Sequence, residues 1–166
     1  MCFGTLVLGR IRANLSPAEG ARAIRRALEL GVNFIDTAAA YGTQQAVRLG
    51  LDGGHDEVIV ASKSRACTYD AMRLAVKEAL RKMNLACIGI FLLHLVRSKE
   101  DLLGREDALK CLVDLRNDGA VEAIEVSSHS PHGVRAALDY DEVDIVFPIV
   151  NKCGLGIVQG TLDEIL

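Results

Sequence analysis

The chain has no tryptophan, and aromatic side chains make up only 4% of its 166 residues. Its core must therefore be aliphatic, built chiefly from Val, Ile, Leu and Ala, in a sequence that is 50% hydrophobic. Basic residues are not grouped: no run is longer than Arg25-Arg26, and the net charge is -3. Nucleic-acid binding needs clustered Lys and Arg to neutralise phosphates, so that class is excluded. Long apolar runs are missing too. The longest, Ile88 to Val96, is broken by His94 and is far shorter than the ~20 residues of a membrane-spanning helix, so no membrane insertion is expected. The N-terminus shows no charged leader followed by an apolar block, which argues against a secretory signal. The five cysteines (Cys2, Cys67, Cys87, Cys111 and Cys153) are odd in number and form no CxxC pair, so neither a disulfide framework nor a zinc site is indicated. Free thiols of this kind suit a cytoplasmic protein, and the length suits a single domain.

What the sequence does contain is an alternation of short apolar runs and amphipathic stretches. Strands are predicted at Phe3 to Leu8, Asn33 to Asp36, Val58 to Ser62, Ile88 to Leu93, Val121 to Val126 and Asp144 to Ile149. Ser16, Pro17 and Glu19 supply a cap, a first-turn proline and a capping box, so a helix is expected to start there, with Ala21, Ile24 and Leu28 on its buried face and Gly31 closing it. Further helices are predicted at Gln44 to Leu51, Asp70 to Asn84 and Arg105 to Asp118, with a short one opening at Ser130-Pro131. Thr161 to Leu166 reads as one turn of another.

Apolar strands that each lead into a helix indicate a parallel sheet covered by helices. A doubly wound sheet usually carries a Gly-rich phosphate loop after its first strand, and none follows Leu8. Gly154, Gly156 and Gly160 have the wrong spacing and follow the sixth strand, so they read as a plain loop. The polar residues favour a (β/α)8 TIM barrel instead. The second strand ends in Asp36, with Tyr41 five residues on; the third runs into Lys63; the fourth ends in His94; the fifth ends in Ser127, Ser128 and His129. In a barrel the carboxyl ends of the strands form one rim, where active sites sit. A phenol, an ammonium, a carboxylate and an imidazole gathered there could protonate a carbonyl oxygen while its carbon is attacked. An ammonium beside the phenol is expected to lower the phenol pKa from about 10, with the carboxylate fixing the ammonium in place.

Gly31-Val-Asn-Phe-Ile-Asp-Thr-Ala-Ala-Ala-Tyr-Gly42 resembles the signature of the aldo-keto reductase family, in which an Asp precedes the catalytic Tyr by five. Val58-Ile-Val-Ala-Ser-Lys63, Ile90-Phe-Leu-Leu-His94 and Val121-Glu-Ala-Ile-Glu-Val-Ser-Ser-His-Ser130 resemble the segments that carry the catalytic Lys, the catalytic His and a nicotinamide contact. The resemblance implies NADPH-dependent reduction of aldehydes or ketones. Tyr41 would donate the proton, tuned by Lys63 and Asp36, and His94 would position the carbonyl. It further assigns Gly4, Thr5, Asp36, Ser127, Ser128 and Asn151 to cofactor binding. The run Phe147 to Lys152 is similar to a branch of the family with an iron–sulfur motif near the C-terminus, but this chain has no such cysteine cluster.

Some positions depart from the family pattern. Ser127-Ser128 stands where Ser-Asn is usual, Glu125 where Gly is usual, Phe147 where a Gln is common, and Cys87 and Gly89 where a Tyr and an Asp are common. A carboxylate at Glu125 is costly inside a barrel strand unless it is paired or at an edge. A complete barrel takes about 250 residues and eight strands. Residues 1–166 are thus expected to form about six of eight βα units, an incomplete barrel truncated at the C-terminus and at the N-terminus. Missing strands remove roughly 5–9 kcal/mol of interior burial from a domain stable by only about 5–15, and the open edges invite self-association. Two further readings stay open: a catalytically inactive relic or binding module unable to hold the cofactor alone, and an aldolase using Lys63 as a Schiff-base nucleophile.

Overall fold

The computed structural model of the chain describes residues 1–54, 57–158 and 160–165. Six strands, β1 (Cys2–Gly4), β2 (Phe34–Asp36), β3 (Ile59–Ser64), β4 (Ile88–Leu93), β5 (Val121–Ser128) and β6 (Ile145–Pro148), form one sheet in chain order. Every neighbouring pair is parallel. Parallel neighbours require crossovers, and α1 (Pro17–Glu29), α2 (Gln44–Leu51), α3 (Tyr69–Met83), α4 (Lys99–Leu103), α5 (Glu106–Asn117) and α6 (Pro131–Leu138) supply them. The sheet is curled, with the helices on its convex side. This is the arrangement of an incomplete (β/α)8 barrel.

Side chains alternate between the two faces of each strand. Ile35, Val60, Phe91, Leu93, Ile124 and Val126 point outward into the main core, where they meet Ile24, Val47, Met72, Val76 and Leu112 from the helices. Ala61, Ile90 and Leu92 point inward and form a separate small cluster with Phe34 and Ala123. This second row lines the concave face, and the functional side chains continue it toward the rim.

The helices begin and end where local chemistry dictates. Ser16 accepts a bond from Glu19 N at 3.3 Å while the Glu19 carboxylate accepts from Ser16 N at 2.9 Å, so the capping box of α1 is closed in both directions. Thr68 caps α3, and Asn84 ends it in the left-handed region at φ 56°. The expected helix near Arg105 is preceded by a separate short helix, α4, capped by Ser98.

Two expectations are corrected. Phe3 to Leu8 is not one strand, since β1 stops at Gly4 and Thr5–Leu8 wind into a 3-10 helix. Apolar residues alone fit either form. The fully buried Thr5 decides it, with its hydroxyl 2.8 Å from that of Thr43 and drawn inward off the strand path. Thr161–Ile165 form hydrogen-bonded turns, with Ile165 N bonded to Leu162 O at 3.0 Å; the remainder of the expected helix, Leu166, lies outside the described residues. Among the described residues, no helix is long and apolar enough to cross a membrane.

Candidate active site

Asp36 closes β2 and Lys63 lies near the end of β3. Parity along the strands puts both on the concave face, and the Lys63 ammonium donates to the Asp36 carboxylate. The Lys63 side chain is only 4% exposed, so its charge is removed from water and balanced by that carboxylate. A buried cation without such a partner would be strongly disfavoured.

Tyr41 is carried by the loop after β2. Its residues 39–41 form a 3-10 turn, closed by Gly42 in the left-handed region at φ 72°. Three buried hydroxyls fasten this loop: Thr43 lies 2.9 Å from Thr37 and 2.8 Å from Thr5. From below, Gly9 packs so closely that a Cβ there would sit 2.5 Å from the Tyr41 carbonyl oxygen. The Tyr41 ring is thereby set beside Lys63, whose ammonium lies 5.2 Å from the ring centroid.

His94 follows β4, and its N–H continues the ladder by bonding Ser64 O at 2.9 Å. The next residue, Leu95, is in the left-handed region at φ 59°, which costs a non-glycine residue on the order of 1 kcal/mol. Two contacts hold that turn. Leu95 N donates to the Ser127 hydroxyl at 3.2 Å, and Val96 N donates to Ser127 O at 3.0 Å. Arg105 also braces it: the buried guanidinium donates to His94 O at 3.0 Å and grips Asp101 through two bonds of 2.8 and 3.0 Å.

These groups open onto one cavity of about 530 Å³ on the concave side of the rim. Asp36, Tyr41, Lys63, His94, Ser127 and His129 line it, with Leu92, Phe147 and Pro148 as its apolar wall. The structure thus brings together the four tetrad residues and Ser127. The other expected cofactor residues stand apart from this cavity. Gly4 ends β1 opposite Asp36, and Thr5 is engaged beneath the Tyr41 loop. Ser128 faces the convex side, its hydroxyl oxygen 2.6 Å from Val96 O and accepting from Ser130 N at 3.0 Å. Asn151 folds its amide into its own loop, donating to Leu155 O and accepting from Cys153 N and Leu155 N.

Electrostatics in the cavity differ in one respect from the sequence expectation. Burial, aided by the negative charge of Asp36, pushes the Tyr41 phenol up to about 12 rather than down. The Lys63 charge is balanced by Asp36 and sits against the ring, so it does not offset the loss of water. Tyr41 therefore keeps its proton across the physiological range. Burial also pushes His94 down to about 4, helped by the positive charges of Lys63, Arg65, His129 and Arg105, which leaves a neutral imidazole. Arg105 escaped the sequence reading, although its spacing of four from Asp101 was a visible signal.

The model of the Aldo/keto reductase family matches residues 1–155. The chain belongs to this family. Among its relatives, an aldo-keto reductase of Mycobacterium ulcerans (strain Agy99) is 33% identical over 155 residues, covering 90% of this chain and 53% of the relative. Methylglyoxal reductase DkgA of Escherichia coli (strain K12) is 28% identical over 136 residues, 80% of this chain and 48% of that protein. The Bombyx mori aldo-keto reductase, solved in complex with NADP, superposes with a TM-score of 0.74 at 25% identity over 91% of this chain and 54% of its own. This aldo/keto reductase chain thus spans about half the length of the curated relatives it matches.

Proposed function

We propose that this aldo/keto reductase chain carries the proton-transfer site of an NADPH-dependent reductase of small aldehydes or ketones. The observation that carries the reading is the single cavity lined by Tyr41, Lys63, Asp36 and His94, with an acid, a charge pair and a neutral hydrogen-bond donor converging on one space. A carbonyl oxygen seated between Tyr41 and His94 would accept a hydrogen bond from each. Tyr41, held in its acid form, is the proton donor. Lys63 and Asp36 hold the ring and limit the charge that builds up when Tyr41 gives up its proton.

NADPH, when bound, would supply the hydride to the carbonyl carbon. The residues at the cavity suit the nicotinamide end of such a molecule. Phe147, 54% exposed, presents an aromatic face in lateral register with Ser127, and Ser127 offers a hydroxyl beside it. By family resemblance, the loops after the seventh and eighth barrel strands grip the adenosine phosphate, and the six strands described here do not include them.

A second reading, a binding module that keeps the tetrad without holding NADPH, is favoured by Ser128 and Asn151, whose polar groups are engaged with backbone rather than turned to the cavity. One experiment separates the two. NADPH binding to the purified full chain is measured by nucleotide fluorescence, and methylglyoxal, the substrate in the name of the Escherichia coli relative, is offered under the same conditions. Micromolar binding with turnover that Tyr41→Phe abolishes supports the reductase. Absence of binding at millimolar NADPH supports the module.

A further inference from the structure

Glu125 stands in the middle of β5 and is 3% exposed. Its Cα is in register with Leu92 of β4, and Leu92 is in register with Lys63 of β3. Side chains level with one another across a parallel sheet share a face. Leu92 lines the active-site cavity, so Lys63, Leu92 and Glu125 form one row on the concave side. Two strand spacings separate Lys63 from Glu125, roughly 10 Å between backbones, and the curl of the sheet turns both long side chains toward the same axis. Asp36 approaches Lys63 from the other side. One ammonium therefore lies between two carboxyls, of which only Asp36 bonds it.

Among the described residues, the Glu125 Oε1 is buried and has no hydrogen-bond partner. A buried carboxylate left in that condition is costly, and the neutral acid relieves the cost. Burial pushes Glu125 up to about 7, with the Lys63 charge drawing it down and the Asp36 charge pushing it up. Lys63 and Asp36 are the charged groups that act on it; Cys2 of β1, on the same face as Asp36, interacts with that pair, and the facing residues of β6, Ile145 and Phe147, carry no charge.

We propose that Glu125 is a positioning residue for the tetrad, a second buried carboxyl that shares the Lys63 ammonium with Asp36 and sets the charge of the site by holding or releasing one proton. With Glu125 protonated, Lys63 and Asp36 form a neutral pair. With Glu125 ionised, the pocket carries one net negative charge, which opposes the charge left on Tyr41 once it has donated its proton. Reduction therefore slows as pH rises through the Glu125 titration. The inference rests on the reductase reading, since it assigns a consequence to proton donation by Tyr41. The coupling of Glu125 to Lys63 can be observed whether or not the chain turns over.

The test has two arms on the full chain. In the first, glutamate labelled with 13C at the side-chain carboxyl is incorporated, and the resonance missing from Glu125→Gln is followed against pH. A midpoint near neutrality is expected, moving upward in Lys63→Met and downward in Asp36→Asn. A midpoint below pH 5 in the unsubstituted chain overturns the proposal, as does a midpoint that Lys63→Met leaves in place. In the second, kcat for methylglyoxal reduction is measured from pH 5 to 9. A several-fold decline through neutrality is expected in the unsubstituted chain, with a flat profile in Glu125→Gln and in Glu125→Gly. Persistence of the decline in both variants overturns the proposal. If no reduction is seen at any pH, the reductase reading fails, and the carboxyl titration alone still decides whether Glu125 shares Lys63.

Discussion

The Nδ1 of His94 lies 3.0 Å from the Ser127 hydroxyl oxygen, so the last inward-facing residue of one strand sets the chemistry of the residue following its neighbour. The Ser127 oxygen already accepts from Leu95 N, which leaves its own proton free to go to Nδ1. A neutral imidazole that accepts at Nδ1 must carry its proton on Nε2, available to donate into the cavity. With Ser127 as the donor to Nδ1, a serine that family resemblance assigns to the cofactor also selects the Nε2–H tautomer.

Ser127→Ala removes that lock. One hydrogen bond is worth about 1 kcal/mol, so kcat for carbonyl reduction is expected to fall roughly fivefold. The 15N shifts of His94 should report a mixture of tautomers in the variant. An unchanged tautomer would show that the imidazole is oriented by something else.

Two buried groups impose opposite pH dependences on stability. His94 sits at about 4, below its ordinary 6.5, so the folded chain binds fewer protons than the unfolded chain between those values. Its contribution is present above pH 6.5 and is lost as pH falls toward 4. Glu125 sits at about 7, above its ordinary 4.5, so the folded chain binds more protons, and stability is lost as pH rises from 4.5 to 7. Denaturant melts of His94→Gln should show a smaller loss on acidification. Glu125→Gln should gain on the order of 3 kcal/mol at pH 8 and nothing at pH 4. Variant and parent curves that run parallel across the range would contradict these environments.

Gly9→Ala should damage the site without touching a tetrad residue. The added methyl would lie 2.5 Å from the Tyr41 carbonyl, and backbone cannot swing aside as a side chain can. Overpacking of this kind costs about 1–3 kcal/mol, and the displaced loop carries Tyr41 with it. We expect a lowered melting temperature together with a loss of kcat beyond tenfold. An active, fully stable variant would mean that the loop relaxes freely.

Within the described residues, β1 and β6 each pair on one side only. Free parallel edges offer unpaired N–H and C=O groups to another chain. Ile59, Ile145 and Phe147, which belong to strands of the curled sheet, are also exposed. The chain is expected to self-associate at micromolar concentration. Light scattering decides it, and a monodisperse monomer with a sharp cooperative melt would count against the expectation.

The strands and the tetrad were legible because each side chain combines a strand-end position with a reactive type. Asp36, Lys63, His94 and Ser127 close four successive apolar runs, and a parallel barrel brings such ends to one rim. Other features were hidden for physical reasons. Strands buried on both faces show no alternation, so the sequence could not tell that Lys63 and Glu125 share a row while Ser128 turns away. The 3-10 turn at Thr5–Leu8 depends on a hydroxyl contact with Thr43, thirty-eight residues on. The direction of the Tyr41 shift depends on how the Lys63 charge is shared between a carboxylate and a ring, which composition and spacing do not reveal.

The strictly sequential order of the six strands also bears on how the chain comes into being. Among the described residues, each strand pairs only with its neighbours in chain order. Ribosomal synthesis delivers residues one at a time, at about 5–20 per second, so each new βα unit can dock on the edge left by the last without waiting for a distant partner. Asp36, Tyr41, Lys63 and His94 all belong to the second, third and fourth units. The residues of the proposed proton-transfer site can therefore assemble while β6 is still being translated, and β5, bearing Ser127, adds the last of the cavity-lining hydroxyls named above.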